Sequence, residues 1–328
     1  MTGMAKKPEI FVCEFITGGG LYNVDLQPSL VREGSLMLEA LLQDLVATHE
    51  LQIITTRDAR LPSLTLPVSV MEIGNDPWSL WQRCIKNADL VWLIGPESDG
   101  VLEKMTAMVP PAKLIGCTPE AVRIAASKHA TAELLAQQNI PVVHTWKPEQ
   151  APTDLPRYVA KPDDGVGCAD TRCFDSFAEM QAWLQDGRVT SHVIQPFQAG
   201  NAGSISMLCH KGKAWLLSCN RQVVELHNGQ FVYGGSVING MAQHWNGFAD
   251  VARRVAAALP GLSGYVGVDV MVNGRDVVVL EINPRLTTSY AGLTQAAGLN
   301  VARLVLDLFY NRPMQLAHSQ RNVVTIKL

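Results

Sequence analysis

The chain has 328 residues, 47% of them hydrophobic and 17% charged, a composition that is typical of a globular protein with two or three structural units. Its formal net charge of -3 and its lack of a lysine- and arginine-rich block argue against a nucleic-acid-binding surface, and no apolar run is long enough to span a membrane. Because no signal-peptide pattern precedes the first strand, and because the seven cysteines include no Cys-x-x-Cys pair, we expect a cytoplasmic protein with reduced thiols.

The N-terminal third alternates short apolar runs with amphipathic segments, which predicts parallel strand pairing and a doubly wound α/β sheet. The predicted strands span residues 9–15, 51–55, 90–94 and 113–115, and the predicted helices span residues 29–48, 77–86 and 99–108. Ligands bind such sheets beyond the carboxyl ends of the strands. We therefore expect Thr17, Gly18 and Gly19 to face a ligand, and Glu97 at a later strand end to do the same. A flexible surface turn at the glycines remains an alternative, as does a helix cap at Asp99.

A different pattern begins at Thr118, which has the features of a helix N-cap, as does Ser127 nine residues later. A strand ending at Lys161 then runs into a loop that contains Gly165 and Gly167. The backbone N–H groups of such a loop can bind phosphates while the lysine supplies positive charge, although no Walker A motif is present. The remaining predicted elements are helices 128–137, 175–185, 246–259 and 300–309, strand 191–196, antiparallel strands within 204–237 and a hairpin of strands 265–272 and 276–282.

This hairpin carries oxygen-bearing side chains at Asp269, Glu281 and Asn283. Glu281 and Asn283 are two residues apart and therefore project from one face of their strand. A two-residue turn at Asn273-Gly274 would place Asp269 on the other face, whereas a three-residue loop over 274–276, or a bulge, would bring it opposite Glu281. We expect the longer loop or the bulge, and a site for Mg²⁺ or Mn²⁺ where the three donors converge. The alternative is a hairpin with exposed acids on its wet face.

The order of these features resembles the ATP-grasp superfamily from about Thr118 to Leu293, and the most specific motif is Glu-Ile-Asn-Pro-Arg at 281–285. The resemblance implies an ATP-grasp fold whose C-terminal half is α+β in character. It also implies three units: a pre-ATP-grasp α/β domain (1–117), a small subdomain with a phosphate lid (118–194), and a C-terminal subdomain with the metal site (195–328).

The same resemblance implies a set of functional residues. Those that bind ATP are two lysines, two glycines of the phosphate lid and the hinge that contacts adenine: Lys128, Lys161, Gly165, Gly167, Gln195, Pro196 and Phe197. Arg221 and Arg285 would steady the transferred phosphoryl group or an acyl phosphate. The implied reaction activates a carboxylate with ATP and then forms an amide, with no need for a protein nucleophile.

Four further segments are similar to the tyramine–glutamate ligase branch, which makes methanofuran and related methylofurans: Phe11–Gly20, Arg32–Gly34, Pro96–Gly100 and Asn283–Tyr290. This resemblance implies small-molecule substrates, namely the γ-carboxyl of L-glutamate and the amine of tyramine or a tyrosine-like acceptor. It is also compatible with a homodimer. Another ATP-grasp ligase, such as one resembling carbamoyl-phosphate synthase, and a non-catalytic nucleotide-binding protein remain alternatives.

The branch resemblance also implies where the two substrates bind. Arg285 would line the glutamate pocket together with Thr287, Thr288 and Ser289. The loop with Thr17, Gly18 and Gly19 would bound the amine side. A positively charged amine would be attracted by Glu14 or Glu97, unless both acids only cap or solvate strand ends.

Overall fold

The computed structural model describes residues 6–165, 167–314 and 321–328, and no helix within these ranges is long and apolar enough to cross a membrane. Its described strands form two sheets. The first sheet lies in the N-terminal third of the chain, and the second is built from the rest.

The first sheet is parallel and has helices packed on it, which confirms the predicted doubly wound arrangement. Its strands are β1 (Glu9–Glu14), β2 (Gln52–Asp58), β3 (Ser69–Ile73), β4 (Leu90–Ile94) and β5 (Leu114–Ile115), and its helices are α1 (Pro28–Thr48), α2 (Trp78–Asn87) and α3 (Val101–Ala107). The strand order is β3-β2-β1-β4-β5. Strand β3 was not predicted, because four of its five residues are exposed and give no apolar signal.

Helix α1 buries one apolar stripe that joins the first sheet to the C-terminal end of the chain. The stripe repeats at three and four residues, as a helix packed on one face requires, and comprises Met37, Leu38, Leu41, Leu42 and Leu45. It shares a core with Ile10 and Val12 of β1 and with Leu293 and Leu306 near the C-terminus. Each fully buried side chain of this size contributes about 2 kcal/mol. One core therefore holds the two parts of the chain together.

The second sheet is antiparallel throughout the described residues. Its strands are β6 (Tyr158–Pro162), β7 (Arg172–Phe174), β8 (His192–Pro196), β9 (Asn201–His210), β10 (Lys213–His227), β11 (Gln230–Ile238), β12 (Gly264–Asn273), β13 (Asp276–Asn283) and β14 (Val324–Lys327). Their order is β13-β12-β9-β10-β11-β7-β6-β8, with β14 on β11. A single residue pair, Gln230 with Arg172, joins β11 to β7, so β6–β8 form a nearly separate three-stranded unit.

Six further helices accompany this sheet in the described residues. They are α4 (Pro119–Ala126), α5 (Lys128–Gln137), α6 (Phe177–Leu184), α7 (Trp245–Ala258), α8 (Leu293–Ala297) and α9 (Val301–Phe309). The Thr118 and Ser127 side chains accept hydrogen bonds from backbone N–H groups three residues on, which confirms both predicted N-caps. The short helix α8 and strands β7 and β14 were not predicted.

Residues of the second sheet alternate between two faces, as the period of a strand requires. Ile205 of β9 and Val268 of β12 are buried in the same core as Val251 of α7. Ser204 and Asp269, which are adjacent in sequence to these two and pair with each other, point to the opposite side. We call that side the site face, because it carries the polar residues described below.

The β12–β13 hairpin reaches its register through a bulge. Asn273 pairs with Asp276 around a two-residue loop, so the predicted three-residue loop is wrong. The ladder stays regular to the pair of Val270 and Val279, and then shifts by one residue so that Asp269 pairs with Glu281. The predicted alternative, a bulge that brings the two acids together, is therefore confirmed.

Candidate functional site

A cavity of about 560 Å³ opens between the β6–β8 unit and the site face of the second sheet. Its volume is in the range of small-molecule sites. Many of the residues selected from the sequence line it: Lys128, Lys161, Gly165, Gln195, Pro196, Phe197, Arg221, Asp269 and Glu281. The fold thus brings residues from five separate segments of the chain to one place.

Two buried lysines approach one carboxylate at the end of this cavity. The Nζ atoms of Lys128 and Lys161 lie 3.5 and 3.8 Å from Oε2 of Glu281. Lys128 is the first residue of α5 and also donates to the Gly165 carbonyl oxygen at 2.7 Å. Burial lowers the pKa of Lys161, and the charge of Glu281 partly offsets this. Two ammonium groups that share one carboxylate leave a surplus of positive charge, which suits phosphate oxygens.

Glu281 also meets Asp269 on the site face. The two residues are paired across the hairpin, which brings their carboxyl groups together, and Gln222 donates from Nε2 to Oδ1 of Asp269 at 2.9 Å. Burial, followed by the nearby charge of Glu281, raises the pKa of Asp269. Burial would also raise the pKa of Glu281, but Lys128 and Lys161 together lower it. The two carboxyl groups are therefore held close enough to share one cation or one proton.

Asn283 completes the oxygen-donor set that was predicted for a divalent metal. It pairs with Gly267 across the hairpin, and its side-chain amide is close enough to Asp269 to oppose the rise in the pKa of that acid. Two carboxylates and an amide carbonyl are hard oxygen donors, and their convergence fits Mg²⁺ or Mn²⁺ with positions left for phosphate and water. Their role as metal ligands stays a prediction that this geometry supports.

The glycine loop and the hinge form the opposite wall of the cavity. A side chain at Gly165 would place its Cβ 2.8 Å from Cβ of Pro162, and Gly167 has a φ of 63°, so both positions favour glycine. The buried Gln195 donates from Nε2 to Oγ1 of Thr145 at 2.9 Å. The Phe197 N–H donates to the backbone oxygen of Arg157. The Gln195 amide nitrogen and the Phe197 N–H are thus both engaged within the protein.

Arg221 lies on the cavity wall with an exposed side chain. Its neighbour Gln222 is the residue whose side chain contacts Asp269, because adjacent residues of a strand point to opposite faces. Gln222 was missed in the sequence. Its spacing of two from Asn220, another residue of the site face, is the signal that could have identified it.

Arg285 forms a buried ion pair with Glu97, which lies at the carboxyl end of β4. The Nε and Nη2 atoms of Arg285 lie 3.0 and 2.9 Å from Oε2 of Glu97. Burial disfavours the charge of Arg285, but Glu97 outweighs this and raises the pKa of the guanidinium. The other carboxylate oxygen of Glu97, Oε1, is buried and has no hydrogen-bond partner. The ion pair joins the first sheet directly to the Glu-Ile-Asn-Pro-Arg segment at 281–285, which we call the signature motif.

The loop after Glu97 also touches the base of the glycine loop. Ser98 donates from Oγ to the Asp164 backbone oxygen at 3.1 Å, and the Asp99 N–H donates to Oδ2 of Asp164 at 2.8 Å. Asp99 has a φ of 56° and makes no side-chain cap for α3, so the alternative of a helix cap is wrong. The loop therefore links Arg285 to the lid side of the cavity.

Glu14 and the triple glycine form a rigid corner of the first sheet. The Glu14 carboxylate accepts hydrogen bonds from the N–H groups of Ile16 and Thr17 at 3.1 and 2.7 Å, and from the Thr17 hydroxyl at 2.7 Å. Burial raises the pKa of Glu14, although these bonds oppose the shift. Thr17, Gly18 and Gly19 are buried in a single helical turn, so the alternative of an exposed flexible turn is wrong. Direct substrate contact by these residues stays a prediction.

The three residues predicted for the glutamate pocket are anchored by hydroxyl groups that the sequence did not identify. Thr287 Oγ1 lies 2.9 Å from the Tyr265 hydroxyl, and Thr288 Oγ1 lies 3.0 Å from the Tyr233 hydroxyl. Ser289 donates from Oγ to Ser236 Oγ at 3.2 Å. Burial raises the pKa of Tyr265 to about 12, so this anchor stays protonated at neutral pH.

Comparison with protein-family models gives two matches. Residues 125–289 match the ATP-grasp domain, and residues 51–122 match the pre ATP-grasp 3 domain. The first match covers half of the chain, and the two together span both sheets.

Curated relatives match over much of the chain. The tyramine–L-glutamate ligase of Methanocaldococcus jannaschii is 28% identical over 272 residues, which are 81% of this chain and 79% of the relative. The enzyme of the same name from Methanocaldococcus fervens is 30% identical over 207 residues. That alignment covers 62% of this chain and 61% of the relative.

A solved structure supports the same fold. The crystal structure of an ATP-grasp superfamily protein from Archaeoglobus fulgidus superposes with a TM-score of 0.74 at 22% identity, covering 97% of this chain and 92% of that one. The two sheets, the cavity between them and the family-model matches are all consistent with the resemblance found in the sequence. The chain belongs to the ATP-grasp family.

Proposed function

We propose that this protein is an ADP-forming ligase that joins the γ-carboxyl of L-glutamate to the amine of tyramine or a tyrosine-like acceptor. Membership of the ATP-grasp family supports the general part, which is ATP-dependent C–N bond formation between a carboxylate and an amine. The names of the two curated relatives support the choice of glutamate and tyramine. A role in methanofuran or methylofuran biosynthesis follows from that choice.

One observation carries the general proposal: Lys128 and Lys161 converge on Glu281 in the cavity, and Glu281 in turn meets Asp269. The lysines would bind ATP phosphates. Asp269, Glu281 and Asn283 would hold Mg²⁺ or Mn²⁺, which when bound neutralises charge on the phosphate oxygens. A cationic wall beside a carboxylate pair is the arrangement that phosphoryl transfer needs.

The chemistry requires activation because a carboxylate has no good leaving group in water. A substrate carboxylate oxygen would attack the terminal phosphorus of ATP, which releases ADP and gives an acyl phosphate. The amine nitrogen would then attack the acyl carbon, form the C–N bond and displace phosphate. The loop of Gly165 and Gly167 would shield the acyl phosphate from water.

The substrate side of the site supports an amino-acid substrate. Arg285 lies four residues beyond Glu281, and the hydroxyls of Thr287, Thr288 and Ser289 follow it on the site face. Arg285 would steady the acyl phosphate, while the hydroxyls would contact the remaining polar groups of glutamate.

The test is to incubate the protein with MgATP, candidate acids and a panel of amines, and to measure ADP and phosphate release. The expected result is release that depends on both glutamate and tyramine or tyrosine. Release with another acid and no glutamate would overturn the proposed substrates while leaving a ligase. Release that depends on bicarbonate would favour a reaction of the carbamoyl-phosphate-synthase type. Nucleotide binding without any substrate-dependent release would indicate a non-catalytic protein.

A further inference from the structure

Helix α1 carries a half-buried acidic residue, Glu33, to which the site described above gives no role, although it lies in the Arg32–Gly34 segment of the sequence resemblance. Glu33 lies four residues before Met37 and eight before Leu41, so it continues the stripe that packs on the rest of the protein. Gly34, the next residue, approaches the Glu14 carboxylate so closely that a Cβ there would lie 2.5 Å from Oε2. Glu33 therefore stands at the carboxyl edge of the first sheet.

A second acid of the same helix, Asp44, has a structural role and serves as a comparison. Asp44 lies eleven residues further along, about 16 Å away on the helix. It accepts hydrogen bonds from the Tyr290 hydroxyl at 2.8 Å and the Thr294 hydroxyl at 2.9 Å. Glu33, by contrast, has no hydrogen-bond or ion-pair partner among the described residues. Asp44 fastens the helix to the C-terminal segment, whereas nothing in the described chain uses the Glu33 carboxylate.

The surroundings of Glu33 belong to the substrate side of the site. Burial raises the pKa of Glu33, and the charge of Arg285 acts against this shift, so the two groups are within electrostatic reach. Burial also raises the pKa of Tyr233, whose hydroxyl contacts Thr288, and the charge of Glu33 adds to that shift. Strands β1 and β4 are paired up to Glu14 and Ile94, so the turn of α1 that packs on Glu14 lies at the same sheet edge as the Glu97–Arg285 ion pair.

The charges at this edge are unbalanced. Arg285 is surrounded by Glu97, its direct partner, and by Glu33 at longer range. One oxygen of Glu97 is buried and lacks a hydrogen-bond donor. Two carboxylates and one guanidinium leave a net negative charge and a missing donor, which together fit a cation with N–H groups.

We propose that Glu33 binds the ammonium group of the amine substrate, at the carboxyl edge of the first sheet where the Glu97–Arg285 ion pair lies. This inference rests on the proposed ligase function and names the residue that would recognise its second substrate. Glu14 and Glu97 were the acids selected from the sequence. The structure commits the first to the Thr17 turn and one oxygen of the second to Arg285, whereas the Glu33 carboxylate is uncommitted.

Glu33 would act in the second step of the reaction, in which the amine attacks the acyl phosphate. An alkylamine is protonated at neutral pH and cannot attack until it loses a proton. The Glu33 carboxylate would hold the ammonium and accept that proton. The amine nitrogen would then form the C–N bond with the acyl carbon as the C–O bond to phosphate breaks. The second proton would leave with the departing phosphate, so atoms and charges balance.

The experiment compares the wild-type protein with Glu33→Gln and Glu39→Gln in the presence of MgATP and glutamate. Glu39 lies on the same helix but is exposed, so it is a matched control for charge and helix stability. Each protein is assayed with the amine that supports phosphate release, and separately with hydroxylamine. Hydroxylamine is uncharged near neutral pH and traps an acyl phosphate as a hydroxamate without needing an ammonium site.

The expected result is that Glu33→Gln raises the KM for the amine by about 30-fold, which corresponds to about 2 kcal/mol. Its hydroxamate formation and its KM for ATP should stay within about twofold of wild type, and Glu39→Gln should match wild type throughout. Hydroxamate formation by the variant would itself show that it folds. An unchanged amine KM, or an equal loss with hydroxylamine, would overturn the inference alone. Failure of the wild-type protein to form glutamate hydroxamate would overturn the proposed function and this inference with it.

Discussion

The two ends of the signature motif lie in opposite electrostatic surroundings. Glu281, at its start, is flanked by the buried ammonium groups of Lys128 and Lys161. Arg285, at its end, is ion-paired with Glu97 and lies within electrostatic reach of Glu33. Arg285 is only four positions after Glu281, a separation of at most about 14 Å along an extended chain.

This contrast shows how one short segment can serve two substrates of opposite charge. A surplus of cations around an acid suits a polyphosphate and its metal, while a surplus of acids around a cation suits an amine. The reacting carboxylate would lie between them. Substitutions at the two ends should therefore affect different kinetic constants.

The largest effect is expected at the start of the motif. Glu281→Gln removes the carboxylate shared by the two lysines and Asp269, and should lower kcat by about a thousandfold, equivalent to about 4 kcal/mol of barrier. ADP formation at saturating substrates measures this. Asp276→Asn, at the exposed tip of the same hairpin, is the control and should be silent. A Glu281→Gln protein with near-normal kcat would remove this residue from phosphoryl transfer.

Removing one of the two lysine charges beside Glu281 should weaken the binding of ATP without affecting the binding of the amine. Lys161→Met should raise the KM for ATP by about 30-fold, because a charge-assisted contact to phosphate contributes roughly 2 kcal/mol. The KM for the amine should not change. Initial rates at varied ATP and amine separate the two constants, with exposed Lys147→Met as the control. Equal increases in both constants would argue against separate cationic and anionic regions.

The opposite pattern is expected for the acid at the other end. Glu97→Gln should raise the amine KM by about tenfold and leave the ATP KM unchanged, because the substituted residue lies beside Arg285 and away from the lysines. It should also lower the melting temperature, since a buried guanidinium loses its partner. Glu103→Gln, on the exposed side of α3, provides a comparison. If the amine KM does not move, Glu97 has no part in substrate binding.

The smallest effect concerns a thiol within the cationic region. Burial, and then the charges of Glu281 and Asp269, raise the pKa of Cys168 to about 11, despite the opposing lysines. A raised pKa keeps the thiol protonated, so about one molecule in a thousand carries the thiolate at pH 8. Alkylation of Cys168, followed by mass spectrometry, should accelerate about tenfold per pH unit above this and should slow when ATP is bound. Rapid labelling at pH 7 would show that the lysines dominate its surroundings instead.

Much of the first sheet and of the cavity wall followed from local patterns. The strand from Leu90 to Ile94 and helix Lys128–Gln137 have the predicted bounds, because apolar periodicity and N-cap chemistry are properties of short segments. The shared face of Glu281 and Asn283 followed from strand alternation alone. Strands β3, β7 and β14 escaped prediction because they are short, and β3 and β14 bury few side chains.

What the sequence could not supply were contacts over long separations. The pairing of Glu97 with Arg285 spans 188 residues and depends on how the two sheets pack. Gln222 became a candidate only when the β10 register placed it beside Asp269. The choice between a longer loop and a bulge was open for a similar reason, since both satisfy the same alternation.

The bulge in the β12–β13 hairpin also shapes the cavity. A hairpin one residue shorter, without Leu280, would still set Asp269 opposite Glu281, because Val279 already pairs with Val270. In the chain as it stands, an unbulged ladder would pair Asp269 with Leu280, so the bulge at Leu280 is what sets Asp269 opposite Glu281. Leu280 has no partner in the strand pairing, and its aliphatic side chain forms part of the cavity wall. A variant lacking Leu280 would keep its oxygen donors but lose an apolar contact to whatever ring system the cavity holds.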